Sequence, residues 1–97
     1  MSRYDVGRVD PDSGYGRQWP QQVARDGERI PTLASLFDLA RTSARPVRLN
    51  LETKITPRSG ATTPGADDFA AIVVAAVRKA GMDSRTTIQS FDWRTLV

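Results

Sequence analysis

Between residues 47 and 54 the side chains alternate strictly between two faces. Val47, Leu49, Leu51 and Thr53 fall on one side, and Arg48, Asn50, Glu52 and Lys54 fall on the other. A period of two is the signature of a strand with one buried and one wet face. Upstream, Leu33, Leu36, Phe37 and Ala40 recur at helical spacing, so a helix is predicted over residues 32 to 44. Thr32 is placed as its N-cap after Pro31, Ile30 as an apolar lead-in, and Pro46 as the break before the strand. Downstream, Phe69, Ile72, Val73, Ala76, Val77 and Ala80 form a broad apolar stripe. That second helix is predicted to open on Thr63 as N-cap with Pro64 in its first turn, and to close at Gly81. Asp67 and Asp68 near its start, and Arg78 and Lys79 near its end, match the helix dipole. A second strand is predicted over Thr86 to Phe91. Asp92 is then placed as the N-cap of a further helical turn, and Phe91 and Trp93 as core or barrel-interior residues whose spacing suits packing beneath it.

The remaining segments carry weaker patterns. Residues 55 to 64 are rich in Gly, Pro, Ser and Thr and are predicted to form a loop leaving the C-terminal end of the first strand. Residues 1 to 29 have no sustained period. Asp10-Pro11-Asp12-Ser13-Gly14 and Asp26-Gly27 mark turns, and Tyr4, Val6, Val9, Tyr15, Trp19 and Val23 are scattered among them. These residues are expected to be an irregular insertion, and residues 30 to 97 a helix–strand–helix–strand body. Strand, helix and strand in succession make a βαβ unit with parallel strands and a right-handed crossover. Two strands and their helices cannot cover both faces and both edges of a sheet. The predicted class is therefore α/β, a part of a repeating β/α protein that folds poorly alone.

Composition narrows the chemistry. The chain has 97 residues, enough for one small domain, and 39% of them are hydrophobic and clustered, which excludes a disordered chain. The net charge of +3 comes from fourteen basic residues dispersed among eleven acids. No basic run interleaved with aromatics is present, so nucleic acid is not an expected partner. There is no cysteine and no histidine. Thiolate chemistry, imidazole metal ligands and a histidine general base are thus excluded from this chain. No signal peptide or membrane-spanning run is apparent, so a cytoplasmic place is the default expectation.

The wet face of the first strand is where candidate chemistry collects. Glu52 and Lys54, two apart, point the same way. The plain reading is an ion pair on a solvated strand, as in a small α/β interaction module without catalysis. The alternative is a carboxylate for a hard cation beside an amine for an anion. Asn50 lies one layer deeper on that face, and Gln89 and Phe91 share a face of the next strand. Arg8 and Arg58 are loop cations whose default role is at the surface.

Three segments occur in order with helices between them: Arg29-Ile30-Pro31-Thr32-Leu33, Leu49-Asn50-Leu51-Glu52-Thr53-Lys54 and Thr87-Ile88-Gln89-Ser90-Phe91-Asp92. Together they resemble the glycerophosphodiester phosphodiesterase family. Tyr4-Asp5-Val6-Gly7-Arg8 and the stretch from Pro20 to Gly27 are similar to the insertion before the Ile-Pro-Thr-Leu helix of bacterial members. The resemblance spans nearly the whole chain. It implies a part of a (β/α)8 TIM barrel with its site at the C-terminal ends of the strands. It implies hydrolysis of glycerophosphodiesters to sn-glycerol 3-phosphate and an alcohol, a lipid-metabolic reaction using Ca²⁺ or Mg²⁺. By that resemblance Glu52 is a metal ligand, Lys54 a catalytic cation on the phosphate, Gln89 and Phe91 substrate-binding, and Asn50 structural support. The family includes periplasmic and secreted members as well. The chain departs from the pattern in having no His-Arg-Gly, no Glu-Asn-Thr and no early Glu-x-Asp. By the resemblance it is an internal segment that is inactive alone.

Overall fold

The strand predicted from alternation forms, and it pairs with the second predicted strand. In a computed structural model describing residues 3–97, the regular elements are α1 (Leu33–Thr42), β1 (Leu49–Glu52), α2 (Ala66–Lys79) and β2 (Thr86–Gln89). Short 3-10 turns occur at Gly16–Gln18, Gly60–Thr62, Asp83–Arg85 and Trp93–Thr95. The two strands are parallel, with Leu49 opposite Thr86, Asn50 opposite Thr87, Leu51 opposite Ile88 and Glu52 opposite Gln89. The βαβ expectation is met. The chain divides into a unit ending at Thr32 and a unit Leu33–Val97.

In the larger unit the core lies on one side of the sheet. Phe37 and Ala40 of α1, Val73 and Val77 of α2, and Met82 are buried together. Leu49, Leu51 and Ile88, from the inward face of the strands, pack against them. Two members of the predicted stripes lie outside this core: Leu36 is at its margin and Ile72 is more than half exposed. Each stripe is wider than the surface its helix presents to the sheet.

Several boundaries differ from expectation. The second helix does not open on Thr63. Thr63 is extended (φ −127°, ψ 140°) and closes the Gly60–Thr62 turn, as a residue before proline tends to be. The first helical hydrogen bond runs from Phe69 N to Gly65 O at 2.9 Å, and no side chain caps the start. Asp67 and Asp68 in the first turn supply the compensating charge. Gly81 does end α2, at φ +63°. Its N–H donates to Arg78 O at 2.9 Å and the Met82 N–H donates to Val77 O at 3.1 Å. That is a Schellman closure, which turns the following residue back onto the helix. It drives Met82 into the core.

The strands are shorter than predicted because side chains take over the ladder. Thr53 N still donates to Gln89 O at 2.9 Å. One step further, Ser90 Oγ donates to Thr53 O at 2.8 Å and accepts from Asp92 N at 3.0 Å. Arg85 ties the opposite end, donating from Nε to Val47 O at 2.9 Å and from Nη2 to Ala40 O at 3.1 Å.

The smaller unit holds one short 3-10 turn and is closed by polar contacts. An antiparallel bridge joins Asp5 to Arg29. The Asp5 carboxylate accepts from Gly27 N at 2.6 Å and Gly7 N at 3.0 Å. These bonds, that of Gly27 first, hold its carboxyl below the usual carboxylate range. A β-carbon on Gly7 would sit 1.7 Å from Arg25 O, so only glycine permits the close backbone approach there. Arg8 is not a free cation: its Nε and Nη2 each meet Asp26 at 2.8 Å.

Candidate functional site

Of the five residues singled out in the sequence, Asn50, Glu52 and Gln89 lie on one face of the sheet, and Lys54 and Phe91 follow just beyond the ends of its strands. Alternation along β1 sends Asn50 and Glu52 away from the core, and Lys54 follows two residues on. Alternation along β2 sends Thr87 and Gln89 to the same side, and Phe91 lies in the bend beyond the strand. All six are exposed, whereas Leu49, Leu51, Ile88 and Thr53 on the other face are covered. Because the strands are parallel, Glu52, Lys54, Gln89 and Phe91 gather at their C-terminal ends. In sheets built from βα units, that is where reacting groups collect.

The polar groups are already engaged with one another. Lys54 Nζ lies 2.9 Å from Glu52 Oε1, with the Lys54 side chain 78% exposed and that of Glu52 26%. Asn50 Nδ2 donates to Gln89 Oε1 at 2.8 Å. Asn50 therefore supports Gln89 across the strands. The ammonium of Lys54 has three N–H donors, and Glu52 occupies one of them.

Beyond the strands the backbone is latched. Thr53 Oγ1 and Thr95 Oγ1 lie 2.6 Å apart and are both buried. Asp92 caps the final turn by accepting from Arg94 N at 3.3 Å, as its placement in the sequence predicted. Its carboxylate also takes a bidentate grip from Arg94, Nε at 2.8 Å and Nη2 at 2.6 Å. That guanidinium holds the Asp92 carboxyl below its ordinary range.

Phe91 and Trp93 are not packed under the following turn: among the described residues they are 90% and 77% exposed. The turn Trp93–Thr95 is one turn long and buries Thr95 in their stead. With Ile55 and Pro57 they flank an open cleft of about 280 Å³. A groove of about 410 Å³ between α1 and α2 lies with the helices and touches none of the site residues. Sequence reasoning missed Pro57 as a lining residue and Thr53, Ser90 and Thr95 as the latch. The one signal available was a threonine at an inward strand position.

A divalent cation takes six or more oxygen ligands, several of them carboxylates in a tight site. Glu52 is one carboxylate, already paired with an amine, and no group of three acidic or other ligating side chains lies together among the described residues. The residues of this chain do not by themselves fit Ca²⁺ or Mg²⁺.

Compared with known proteins, the chain matches no family model and no curated protein. Among solved structures it is similar to a protein of Silicibacter pomeroyi DSS-3, provisionally named a glycerophosphoryl diester phosphodiesterase. The TM-score is 0.79 and the identity 36%. The match covers 95% of this chain but 31% of that one. The sequence resemblance and the structural one thus meet on the same kind of protein. This chain corresponds to a little under a third of the phosphodiesterase neighbour. No helix among the described residues is long and apolar enough to cross a membrane.

Proposed function

We propose that this chain carries one part of the active centre of a glycerophosphodiester phosphodiesterase, on two adjacent strands of a (β/α)8 barrel. The observation that carries the reading is the placement of Glu52 and Lys54 together, exposed, at the C-terminal end of parallel strands. It is supported by the likeness of 95% of the chain to a protein bearing that name. In this reading Lys54 meets the negative charge of the phosphate, where positive charge helps phosphoryl transfer most. Glu52 holds the Lys54 amine in position and offers one carboxylate to a divalent metal whose other ligands come from outside this chain. Gln89, fixed by Asn50, and Phe91 border the substrate. The general acid and base also come from elsewhere, since the chain contains no histidine.

The test is a graft. The chain replaces the matching segment of the Silicibacter pomeroyi protein, and the chimera is assayed for release of glycerol 3-phosphate from glycerophosphocholine. Glu52→Gln and Lys54→Met should each lower kcat about a hundredfold or more, the loss typical of removing one charge-stabilising group, without lowering the melting temperature. A chimera whose rate ignores both substitutions would refute the reading. The 2.9 Å ion pair favours a second reading, a non-catalytic α/β interaction module in which the two charges neutralise each other. Under that reading the graft is inactive from the start.

A further inference from the structure

We infer that the Asp26–Gly27 bond is a site of spontaneous aspartate isomerisation, and that Arg8 and Asp5 hold the reaction in check. The inference is independent of the phosphodiesterase reading.

The chemistry follows from the pair of residues. Glycine has no β-carbon beside its backbone nitrogen, so the nitrogen can approach the preceding side chain. Gly27 N attacks Asp26 Cγ and a carbon–nitrogen bond forms. One carboxyl oxygen leaves as water, taking the carboxyl proton and the amide proton, and a cyclic succinimide results. A water molecule then opens the ring. Opening at the side-chain carbonyl restores aspartate. Opening at the main-chain carbonyl gives isoaspartate, whose backbone runs through Cβ and Cγ. The water lost is the water regained, so the change is an isomerisation and needs no other reactant.

The first step requires a neutral carboxyl, whose oxygen can leave as water, and an amide nitrogen that gives up its proton. The surroundings oppose both. Arg8 closes on the Asp26 carboxylate as a fork, Nε to Oδ1 and Nη2 to Oδ2, each at 2.8 Å. The guanidinium holds this carboxyl below its ordinary range, in the charged form that resists attack. It also fixes the direction of the side chain. The Gly27 N–H donates to Asp5 Oδ2 at 2.6 Å. A carboxylate against that N–H disfavours the negative charge that nitrogen acquires on losing its proton.

The turn itself calls for the reactive pair. Gly27 is the third residue of a turn closed from Glu28 N to Arg25 O at 3.3 Å, and its φ is +92°. That conformation favours glycine. A β-carbon there would meet nothing within 4 Å, so the requirement is conformational and not one of space. The Asp26 side chain is 64% exposed, which leaves it open to water. Isoaspartate would lengthen the backbone inside this turn. It would pull apart the bonds on either side, Val6 N to Glu28 O at 2.9 Å and Arg25 N to Gly7 O at 2.8 Å.

The experiment incubates the full chain near neutral pH and follows isoaspartate at Asp26 by peptide mapping with an isoaspartate-specific methyltransferase. The same chain unfolded in urea supplies the unguarded rate and should react severalfold faster. In the folded chain Arg8→Gln should speed the reaction about two- to fivefold, the scale of one exposed ion pair. Arg8→Lys keeps the charge without the fork and should fall between. Asp5→Asn keeps an acceptor without the charge and should also speed it. Asp12–Ser13 is an internal reference in the same unit, with Asp12 bonded to Asp10 and Arg17 and not to Arg8 or Asp5. Its rate should stay unchanged in all three variants. No isoaspartate at Asp26 in urea would overturn the site. Equal rates folded and in urea would overturn the guard. Arg8→Gln or Asp5→Asn reacting no faster than the unmodified chain would remove that residue from it. Acceleration of Asp12–Ser13 by the same factor would show that the variants open the whole unit, and would overturn the guard as well.

Discussion

Thr86 buries a hydroxyl that has no hydrogen-bond partner among the described residues. It opens β2 opposite Leu49, on the face that packs against the helices. An unsatisfied buried polar group carries a desolvation cost of about 1–3 kcal/mol. Valine has the same branched shape without the hydroxyl. Thr86→Val should therefore stabilise the chain by about 1 kcal/mol, measured as a higher urea midpoint with an unchanged slope. A lower midpoint would mean that the hydroxyl has a partner after all. Thr53, on the same face, is the contrasting case. Its hydroxyl meets Thr95 at 2.6 Å, so the burial of a polar group there is compensated. The sequence marks both threonines as inward-facing. It does not distinguish them, because the partner of Thr53 lies 42 positions away. The same distinction runs through the site. Glu52 and Lys54 were legible as neighbours because a period of two is a local property. The bond from Asn50 to Gln89 was not, because it depends on strand register.

At the scale of elements, the end of α2 shows how a local signal reaches the core. Gly81 was legible as a helix stop, being the one residue type that adopts a left-handed conformation without strain. Its consequence was not legible. Met82 belongs to no periodic stripe, yet the Schellman turn folds it back until it is 1% exposed. Two substitutions separate the conformational effect from the packing effect. Gly81→Ala forces a β-carbon into φ +63° and should cost about 1–2 kcal/mol. Met82→Ala leaves the turn intact and empties part of the core, and should cost about 2–5 kcal/mol. Urea denaturation of both variants checks the order. A Met82→Ala loss smaller than that of Gly81→Ala would show that the turn, not the packed side chain, sets stability there. The start of α2 gives the opposite lesson. Thr63 and Pro64 have the residue types of a helix opening, but Thr63 ends a 3-10 turn and the chain enters the helix only after Gly65. Capping preferences are weak beside the conformation imposed by the preceding loop.

At the scale of the unit Leu33–Val97, the sheet is the feature that fixes behaviour. Among the described residues it has two strands, so each has one unpaired edge. Helices cover one face. The other carries Asn50, Glu52, Thr87 and Gln89, all exposed. The class of the fold was legible, because strand, helix and strand follow directly from their periods. How far other elements extend the sheet was not, because nothing local in β1 or β2 specifies its next neighbour. Two strands alone are marginal in water and depend on what packs against them, and open edges recruit further strands. The chain should therefore self-associate as its concentration rises. Sedimentation velocity should show an apparent mass that increases with concentration, and the thermal midpoint should rise in parallel, since association stabilises the folded form. Thr87→Lys places a charge on the exposed face of β2, a device that blunts strand edges. It should return the chain towards a monomer and lower the midpoint at high concentration while leaving the dilute value in place. A monomer with a sharp, concentration-independent melt would show that the helical face alone stabilises the sheet, and that its open edges are tolerated without a partner.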